Sequence, residues 1–285
     1  MGKLLTDAQV AHFDQQGYLP AIPVLTPDQA RHFRGELERC ERQFPDQMRK
    51  LRSKSEVLAP WIVDIAKTPR LLDAFEDLLG PDLLLWSMAW RVKKNDGQTF
   101  AGWHQDFAYG GVLKPKVVIG ALALSECGPE QGCLRVIPGS HIGDPLPHQD
   151  FDDPTSILAR GQQISVPFDK SQAFDLALRP GEIGLFDSAV IHGSAPNTSQ
   201  DRRIMVLVEI IPAAAYRTDG LEDTAMLVRG KDEHRNFAPE PHPDADFSPA
   251  AQEAWNEIIQ IRSKMIYRNS TVKPADGYQG AASAA

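Results

Sequence analysis

Three residues of metal-binding type stand in a distinctive order in this chain. His104 and Asp106 are separated by one residue, and His192 follows far downstream. Because side chains alternate faces along an extended strand, His104 and Asp106 can bind one ion while Gln105 points away. Two histidines and one carboxylate are the ligands that hold non-haem Fe(II) with open coordination positions. The pattern favours an oxygenase.

The sequence around His192 predicts two strands joined by a turn. Residues 182–192 alternate as a strand does, residues 193–201 are rich in turn formers, and residues 202–211 form a second apolar run. A hairpin of this kind would bring His192 close to the first residues of the return strand. Arg202 and Arg203 stand there, and a guanidinium can bind a carboxylate through two charge-assisted hydrogen bonds.

Ordinary structural roles are open for each of these residues. A single His-x-Asp pair is common by chance, Asp106 could cap a turn, and His192 could be a hydrogen-bonded core histidine. The order of the whole set over about a hundred residues favours the metal site.

Longer segments around these residues resemble a known family. They are Trp103-His104-Gln105-Asp106, the stretch from Gly132-Cys133-Leu134 to Pro138-Gly139-Ser140-His141, and His192 followed by Ser194 and Arg203. Together they are similar to the phytanoyl-CoA dioxygenase family of Fe(II)/2-oxoglutarate-dependent oxygenases, and to its ectoine hydroxylase-like members. The resemblance extends from about Leu5 to about Phe237.

The resemblance implies a role for each matching residue. His104, Asp106 and His192 would bind Fe(II) and form the catalytic centre. Arg203 would bind the distal carboxylate of 2-oxoglutarate, with Ser194 assisting. Arg202 is the competing candidate on spacing alone, and the family spacing favours Arg203. The cofactors implied are Fe(II), 2-oxoglutarate as cosubstrate, and O2.

The pattern of predicted elements indicates a mainly β protein with flanking helices. Helices are predicted after Thr6, after Thr26 and from Pro69, and a last one after Ser248. Strands dominate from Leu83 to Ile211, joined by Gly- and Pro-rich turns, which is typical of a double-stranded β-helix, a cupin-like jelly roll. We expect one domain over residues 1–275 and a disordered tail over residues 276–285.

Composition excludes several classes of partner. The chain of 285 residues has 30 Lys and Arg against 38 Asp and Glu, for a net charge of −8, so it lacks the basic surface that nucleic acids require. No apolar run is long enough to span a membrane, and the N-terminus lacks the apolar core of a signal peptide. We therefore expect a cytoplasmic protein that acts on a small molecule, with neither nucleic acid nor membrane as partner.

Two polar segments are candidates for a lid over the site. Residues 43–56 carry a basic run that includes Lys50 and Lys54, and residues 142–171 form a long loop. Long loops of compact domains are often lids or specificity loops. A charge run more often forms a solvated surface, which is the competing interpretation of the first segment.

Taken together, these features predict an Fe(II)/2-oxoglutarate-dependent dioxygenase that hydroxylates an unactivated C–H bond of a small molecule, with release of succinate and CO2. Desaturation or ring-forming oxidation uses the same residues and stays open as an alternative. A non-catalytic cupin-like binding protein is the alternative from a different class. Aromatic side chains near the metal ligands, namely Trp86, Trp90, Trp103, Phe107 and Tyr109, are candidates to shape the substrate pocket or simply to fill the core.

Overall fold

The structure is a computed structural model that describes residues 2–106, 113–115, 117–268, 270–274 and 278. Its α-helices are α1 (Asp7–Gln16), α2 (Pro27–Gln43), α3 (Pro60–Ala66), α4 (Pro69–Leu79) and α5 (Pro249–Ile266), and two short 3-10 helices span Pro45–Arg52 and Ser55–Val57. Phe107, Tyr109 and, apart from Tyr278, the predicted tail 276–285 lie outside the described residues.

Fifteen strands make up the β part. They are β1 (Tyr18–Pro23), β2 (Leu83–Lys93), β3 (Ala101–His104), β4 (Leu113–Lys114), β5 (Val118–Ala123), β6 (Leu134–Val136), β7 (His148–Gln149), β8 (Gln163–Ile164), β9 (Phe174–Leu176), β10 (Glu182–Asp187), β11 (His192–Ser194), β12 (Arg203–Pro212), β13 (Tyr216–Arg217), β14 (Thr224–Arg229) and β15 (Ala238–Pro239) among the described residues. A seven-stranded sheet has the order β1-β10-β5-β12-β2-β14-β15, and a four-stranded sheet has the order β3-β11-β6-β9.

The two larger sheets face one another, as the predicted jelly roll requires. Val136 and Leu176 of the smaller sheet share a buried cluster with Ile119 and Met205 of the larger one. Gly184 of β10 faces Leu176 so closely that an added Cβ would lie 2.4 Å from a leucine methyl carbon, so glycine permits this close approach of the sheets.

Alternation along β12 divides the interior into two layers. Ile204, Val206 and Val208 pack in the cluster that the helices cover, whereas Met205 belongs to the cluster between the sheets. This period of two follows from the pleat of an extended strand. Odd-numbered positions of β12 therefore face the inside of the barrel, and this parity decides which arginine can reach the site.

The helix starts predicted from the sequence are confirmed. The side chains of Thr6 and Thr26 accept hydrogen bonds from the backbone N–H groups of Gln9 and Gln29. In return, the side-chain oxygens of the two glutamines accept hydrogen bonds from the backbone N–H groups of the two threonines, so each helix starts with a capping box. The helix from Pro69 also begins where the sequence predicted it. The α3 helix and the two 3-10 helices were not predicted.

The predicted hairpin of residues 182–192 and 202–211 is wrong. β10 and β12 each pair with β5, on opposite sides of it, and not with each other. Between β10 and β11 the chain turns at Asp187, whose carboxylate accepts a hydrogen bond from the Ala189 N–H group at 2.9 Å. This turn moves the chain from one sheet to the other, so His192 starts a strand of the smaller sheet. The sequence did not reveal this turn, because Asp187 and Ser188 also fit the outward positions of a strand that alternates through residues 182–192.

Candidate active site

The three metal-binding side chains predicted from the sequence converge at one place. His104 ends β3 and His192 begins β11, and the two are paired directly across the antiparallel ladder. Asp106 lies just beyond the end of β3, in the turn that follows. Its two carboxylate oxygens lie 3.3 Å from His104 Nε2 and 3.5 Å from His192 Nε2.

Hydrogen bonds to the backbone fix the orientation of both imidazoles. His104 Nδ1 lies 2.8 Å from the Gly102 carbonyl oxygen, and His192 Nδ1 lies 2.9 Å from the Val190 carbonyl oxygen. A carbonyl can only accept, so each Nδ1 carries the proton and each Nε2 offers its lone pair as a ligand. Both lone pairs belong to the nitrogens that face Asp106, as a shared metal requires.

The protonation states of these side chains suit metal binding. Burial disfavours the charged form of Asp106, but the electrostatic influence of His192 and His104 outweighs it and lowers the pKa of Asp106 to about 2. Burial, assisted by His104, lowers the pKa of His192 to about 4. At neutral pH Asp106 is thus a carboxylate and His192 is neutral, which are the forms that bind a cation.

The donor set fits Fe(II). Each of the three residues offers one ligand atom, and these atoms all lie within 4.8 Å of one another. Two imidazole nitrogens and one carboxylate oxygen are the set that holds non-haem Fe(II) and leaves positions free for other ligands.

Gln105 points away from the ligands, as the strand geometry predicted. Its side-chain amide nitrogen donates to the Ala189 carbonyl oxygen at 2.6 Å, and its amide oxygen accepts from the Leu146 N–H group at 2.9 Å. Gln105 therefore ties the end of β3 to the turn before β11 and holds both ligand-bearing strands in place.

A cavity opens between the sheets at this point and extends along β12. Its empty space, counted out into open solvent, is about 1090 Å³, and His104, Asp106 and His192 lie in its wall. Arg203, Met205, Leu207 and Glu209 line it at every second position of β12, as the strand alternation requires.

The two neighbouring arginines have opposite surroundings. Arg202 points outward and forms ion pairs with Glu41 at 2.8 Å and with Glu38 at 3.2 Å, both on α2. Arg203 is 2% exposed and lines the cavity. Its Nη1 donates to the Gly132 carbonyl oxygen at 2.6 Å, and its Nη2 donates to the Arg91 carbonyl oxygen at 3.3 Å. Within the described part of the chain no carboxylate pairs with Arg203, so a buried cation faces the cavity without a counter-ion.

Ser194 lies at this end of the cavity, and Lys93 contacts it. Ser194 lines it, and Lys93, which sequence reasoning missed, pairs with Arg203 across the β2–β12 ladder. Lys93 Nζ donates to Ser194 Oγ at 2.6 Å, which leaves the serine proton free to donate elsewhere. Burial, with the charge of Arg203, lowers the pKa of Lys93 to about 6. The only signal in the sequence was a lysine at the end of a strand.

The aromatic candidates have different places. Trp86 lines the cavity, whereas Trp90 packs in the core beneath the helices. Trp103 is half-buried and packs edge-on against Phe168 in the long loop.

The solvated-surface interpretation of residues 43–56 is wrong for two of its lysines. Lys54 is fully buried and forms an ion pair with Glu240 at 2.6 Å. Lys50 is 8% exposed, and its ammonium lies 5.1 Å from the ring centroid of Trp255. Local composition did not reveal this burial, because it shows neither the packing of a long lysine stem nor a partner that is distant in sequence.

The segment also contacts the long loop at the cavity. Arg52 Nη2 donates to the Ile157 carbonyl oxygen at 3.1 Å, and Ile157 and Leu158 line the cavity. The other side of the loop is bound to α5, where Arg160 Nη1 donates to the Ile266 carbonyl oxygen at 3.0 Å. Both predicted segments thus lie at the site, whereas their movement stays a prediction.

Comparison with known proteins identifies the family. The profile of the phytanoyl-CoA dioxygenase family (PhyH) matches residues 13–205, which is more than half of the chain. The chain belongs to the phytanoyl-CoA dioxygenase family. It is therefore an Fe(II)/2-oxoglutarate-dependent dioxygenase that uses O2, and its homologues act on small molecules such as ectoine and proline.

Individual relatives agree with this assignment. An ectoine dioxygenase of Nocardia farcinica is 30% identical over 216 residues, which cover 66% of this chain and 72% of that protein. An L-proline trans-4-hydroxylase of Streptomyces griseoviridis is 26% identical over 230 residues, which cover 72% of this chain and 85% of that protein. Among solved structures, the non-heme monooxygenase ThoJ in its apo form matches with a TM-score of 0.81 and 29% identity over 91% of this chain and 98% of its own.

Among the described residues, no helix is both long and apolar enough to cross a bilayer.

Proposed function

We propose that His104, Asp106 and His192 bind the iron of this dioxygenase, that Arg203 and Ser194 bind 2-oxoglutarate, and that the enzyme hydroxylates a C–H bond of a small molecule. The observation that carries the proposal is the buried, unpaired Arg203 in the same cavity as the three converging metal-binding side chains. A dicarboxylate that reaches from the ligand set to Arg203 would satisfy both groups.

The roles of the residues follow from their contacts. The two imidazoles offer Nε2 and Asp106 offers a carboxylate oxygen, while the backbone carbonyls of Gly102 and Val190 keep the rings aligned. Arg203 supplies a fixed cation for the distal carboxylate of 2-oxoglutarate. Ser194 donates its free proton to the same carboxylate because Lys93 occupies its oxygen lone pair.

When bound, the iron and 2-oxoglutarate supply the oxidising chemistry, in which O2 is consumed and succinate and CO2 are released. The protein positions the substrate carbon and excludes water. The apolar wall between Arg203 and Glu209, made by Met205 and Leu207, suits the second task because it offers no polar group to ordered water.

The same proposal includes a cytoplasmic location with neither nucleic acid nor membrane as partner. The net charge of −8 and the sequence pI near 5.5 support the absence of a nucleic-acid partner.

The metal assignment is tested by replacing one ligand and one nearby histidine. His192→Ala should remove most of the bound Fe(II) and abolish succinate formation, because two ligands alone hold the ion poorly. His148→Ala is the matched control: His148 is half-buried near the ligands and accepts a hydrogen bond from the Gln105 N–H group at 3.0 Å, but it is not one of the three ligand residues. The control should keep its iron. Normal iron content and succinate formation in His192→Ala would disprove the assignment.

A further inference from the structure

The end of the cavity away from Arg203 contains a buried ion pair with no part in the proposed chemistry. Glu209 of β12 and Arg262 of α5 both line the cavity, and Arg262 Nη2 donates to Glu209 Oε2 at 2.8 Å. The guanidinium carbon of Arg262 lies 3.9 Å from the ring centroid of Trp86. The Trp86 ring is itself fixed, because its Nε1 donates to Asp223 at 2.8 Å. Arg262 is therefore held rigidly between a carboxylate and an aromatic face.

Two donors of Arg262 have no partner. The residue is 6% exposed, and its Nε and Nη1 find no acceptor among the residues that the structure describes. Buried donors are nearly always satisfied in native proteins, and an exception indicates a missing partner. Because the side chain lines the cavity, that partner can be a ligand in the cavity.

Much of the cavity wall is apolar, although Arg91 and Ser188 also line it. Leu113, Val117, Ile119, Ile157, Leu158 and Leu207 all line the cavity. Such walls favour an aliphatic or aromatic body and disfavour a small zwitterion, whose charges would lose their hydration there without compensation.

The charge at this end indicates an uncharged acceptor. Glu209 already neutralises Arg262, so a ligand carboxylate would lie close to the Glu209 carboxylate and repel it. A carbonyl or amide oxygen accepts the free N–H groups without that cost. Burial also raises the pKa of Glu209, which shows that this site tolerates negative charge poorly.

We propose that the substrate has an apolar body and an uncharged hydrogen-bond-accepting oxygen, a carbonyl or an amide, that binds Arg262 Nε and Nη1 at the Glu209 end of the cavity. This inference rests on the proposed function, because the apolar body must then reach the iron. It names a substrate class that differs from small zwitterionic amino acids.

Three probe ligands distinguish the possible substrate classes. Decanamide has an apolar body and a neutral carbonyl, decanoate has the same body with a carboxylate, and L-proline is a small zwitterion. Each is titrated anaerobically by calorimetry into protein that holds Fe(II) and 2-oxoglutarate, after binding of the metal and the cosubstrate has been measured separately. We expect decanamide to bind more tightly than decanoate, and L-proline to give no measurable binding.

The anchor is tested with the double variant Arg262→Met/Glu209→Gln, which removes the donors without leaving a buried charge unpaired. It should weaken decanamide binding by at least about 10-fold, the usual effect of losing a charge-assisted hydrogen bond. Lys264→Met is the control, since it removes one charge from an exposed position of the same helix. The control should bind decanamide as the unmodified protein does.

Several results would overturn the inference. These are unchanged decanamide affinity in the double variant, tighter binding of decanoate than of decanamide, or binding of L-proline that exceeds both. If the protein binds Fe(II) and 2-oxoglutarate but no decanamide, the substrate class fails and the proposed function stands. If Fe(II) and 2-oxoglutarate do not bind, the proposed function itself fails.

Discussion

The two ends of the cavity along β12 have opposite electrostatics. At the Arg203 end, the buried cation Arg203 lines the cavity, and no carboxylate among the described residues pairs with it. At the Glu209 end, the cation Arg262 already has a carboxylate partner at 2.8 Å. The first end therefore requires an anion from outside the chain, and the second does not. One strand can therefore serve a charged cosubstrate and an uncharged substrate in the same cavity, because only the charge balance changes along it.

Among the variants considered, Arg203→Ala should reduce the affinity for 2-oxoglutarate most. Loss of the partner of a buried carboxylate should cost about 2 to 5 kcal/mol, or roughly 30-fold to several thousand-fold in 2-oxoglutarate affinity. Arg202→Ala removes an adjacent arginine whose partners Glu38 and Glu41 lie on the outer surface, so it should change that affinity by less than about 3-fold. Calorimetric titration of 2-oxoglutarate into the Fe(II) protein measures both. A larger loss in Arg202→Ala would show that the cosubstrate binds on the other side of β12.

A smaller effect is expected on the protonation of Lys93 when 2-oxoglutarate binds. Its pKa in the free protein is about 6, so at pH 7.5 the amine is mostly neutral. A dianion bound beside it favours the charged form and raises the pKa. Binding of 2-oxoglutarate at pH 7.5 should therefore take up a fraction of a proton, and the uptake should vanish in Lys93→Met.

Calorimetry in buffers of different ionisation enthalpy measures this uptake. At pH 5, where Lys93 is already charged in the free protein, the unmodified protein should show little of it. Equal uptake at pH 7.5 in Lys93→Met and in the unmodified protein would exclude Lys93 as the group that titrates.

The smallest effect concerns the segments around the mouth of the cavity. Arg52 binds the loop at Ile157, and Arg160 binds the end of α5, so the two segments and the helix form one connected rim. We expect amide hydrogen exchange in residues 155–160 to slow several-fold when Fe(II), 2-oxoglutarate and a cavity ligand are all bound. Fe(II) and 2-oxoglutarate alone should protect these residues less. Identical exchange in both states would mean that this rim does not close as a lid.

The Arg203 end could be predicted from the sequence, and the Glu209 end could not. His104, Asp106, Ser194 and Arg203 lie within short motifs that resemble those of the phytanoyl-CoA dioxygenase family. Glu209 and Arg262 lie far apart in sequence, and no local sequence pattern predicts that α5 places Arg262 at the cavity. Trp255 and Ile259 of α5 pack in the core. Arg262 lies on the same helix, but it lines the cavity.

The fold shows the same division between local and long-range information. Capping boxes at Thr6 and Thr26 act within a few residues, so the helix starts were predicted correctly. The pairing of β10 and β12 with β5 depends on contacts distant in sequence, and the predicted hairpin failed there. His192 and Arg203 still meet in one cavity, because the two sheets that carry them face each other.

The most direct test of the central claim is a crystal structure of the protein grown anaerobically with Mn(II), a redox-stable substitute for Fe(II), and 2-oxoglutarate. We predict the metal between His104 Nε2, Asp106 and His192 Nε2, with the distal carboxylate of 2-oxoglutarate on Arg203 and Ser194, and the Arg262–Glu209 end free of it. A metal bound elsewhere, or 2-oxoglutarate bound with its distal carboxylate on Arg262, would contradict the assignment of the two ends.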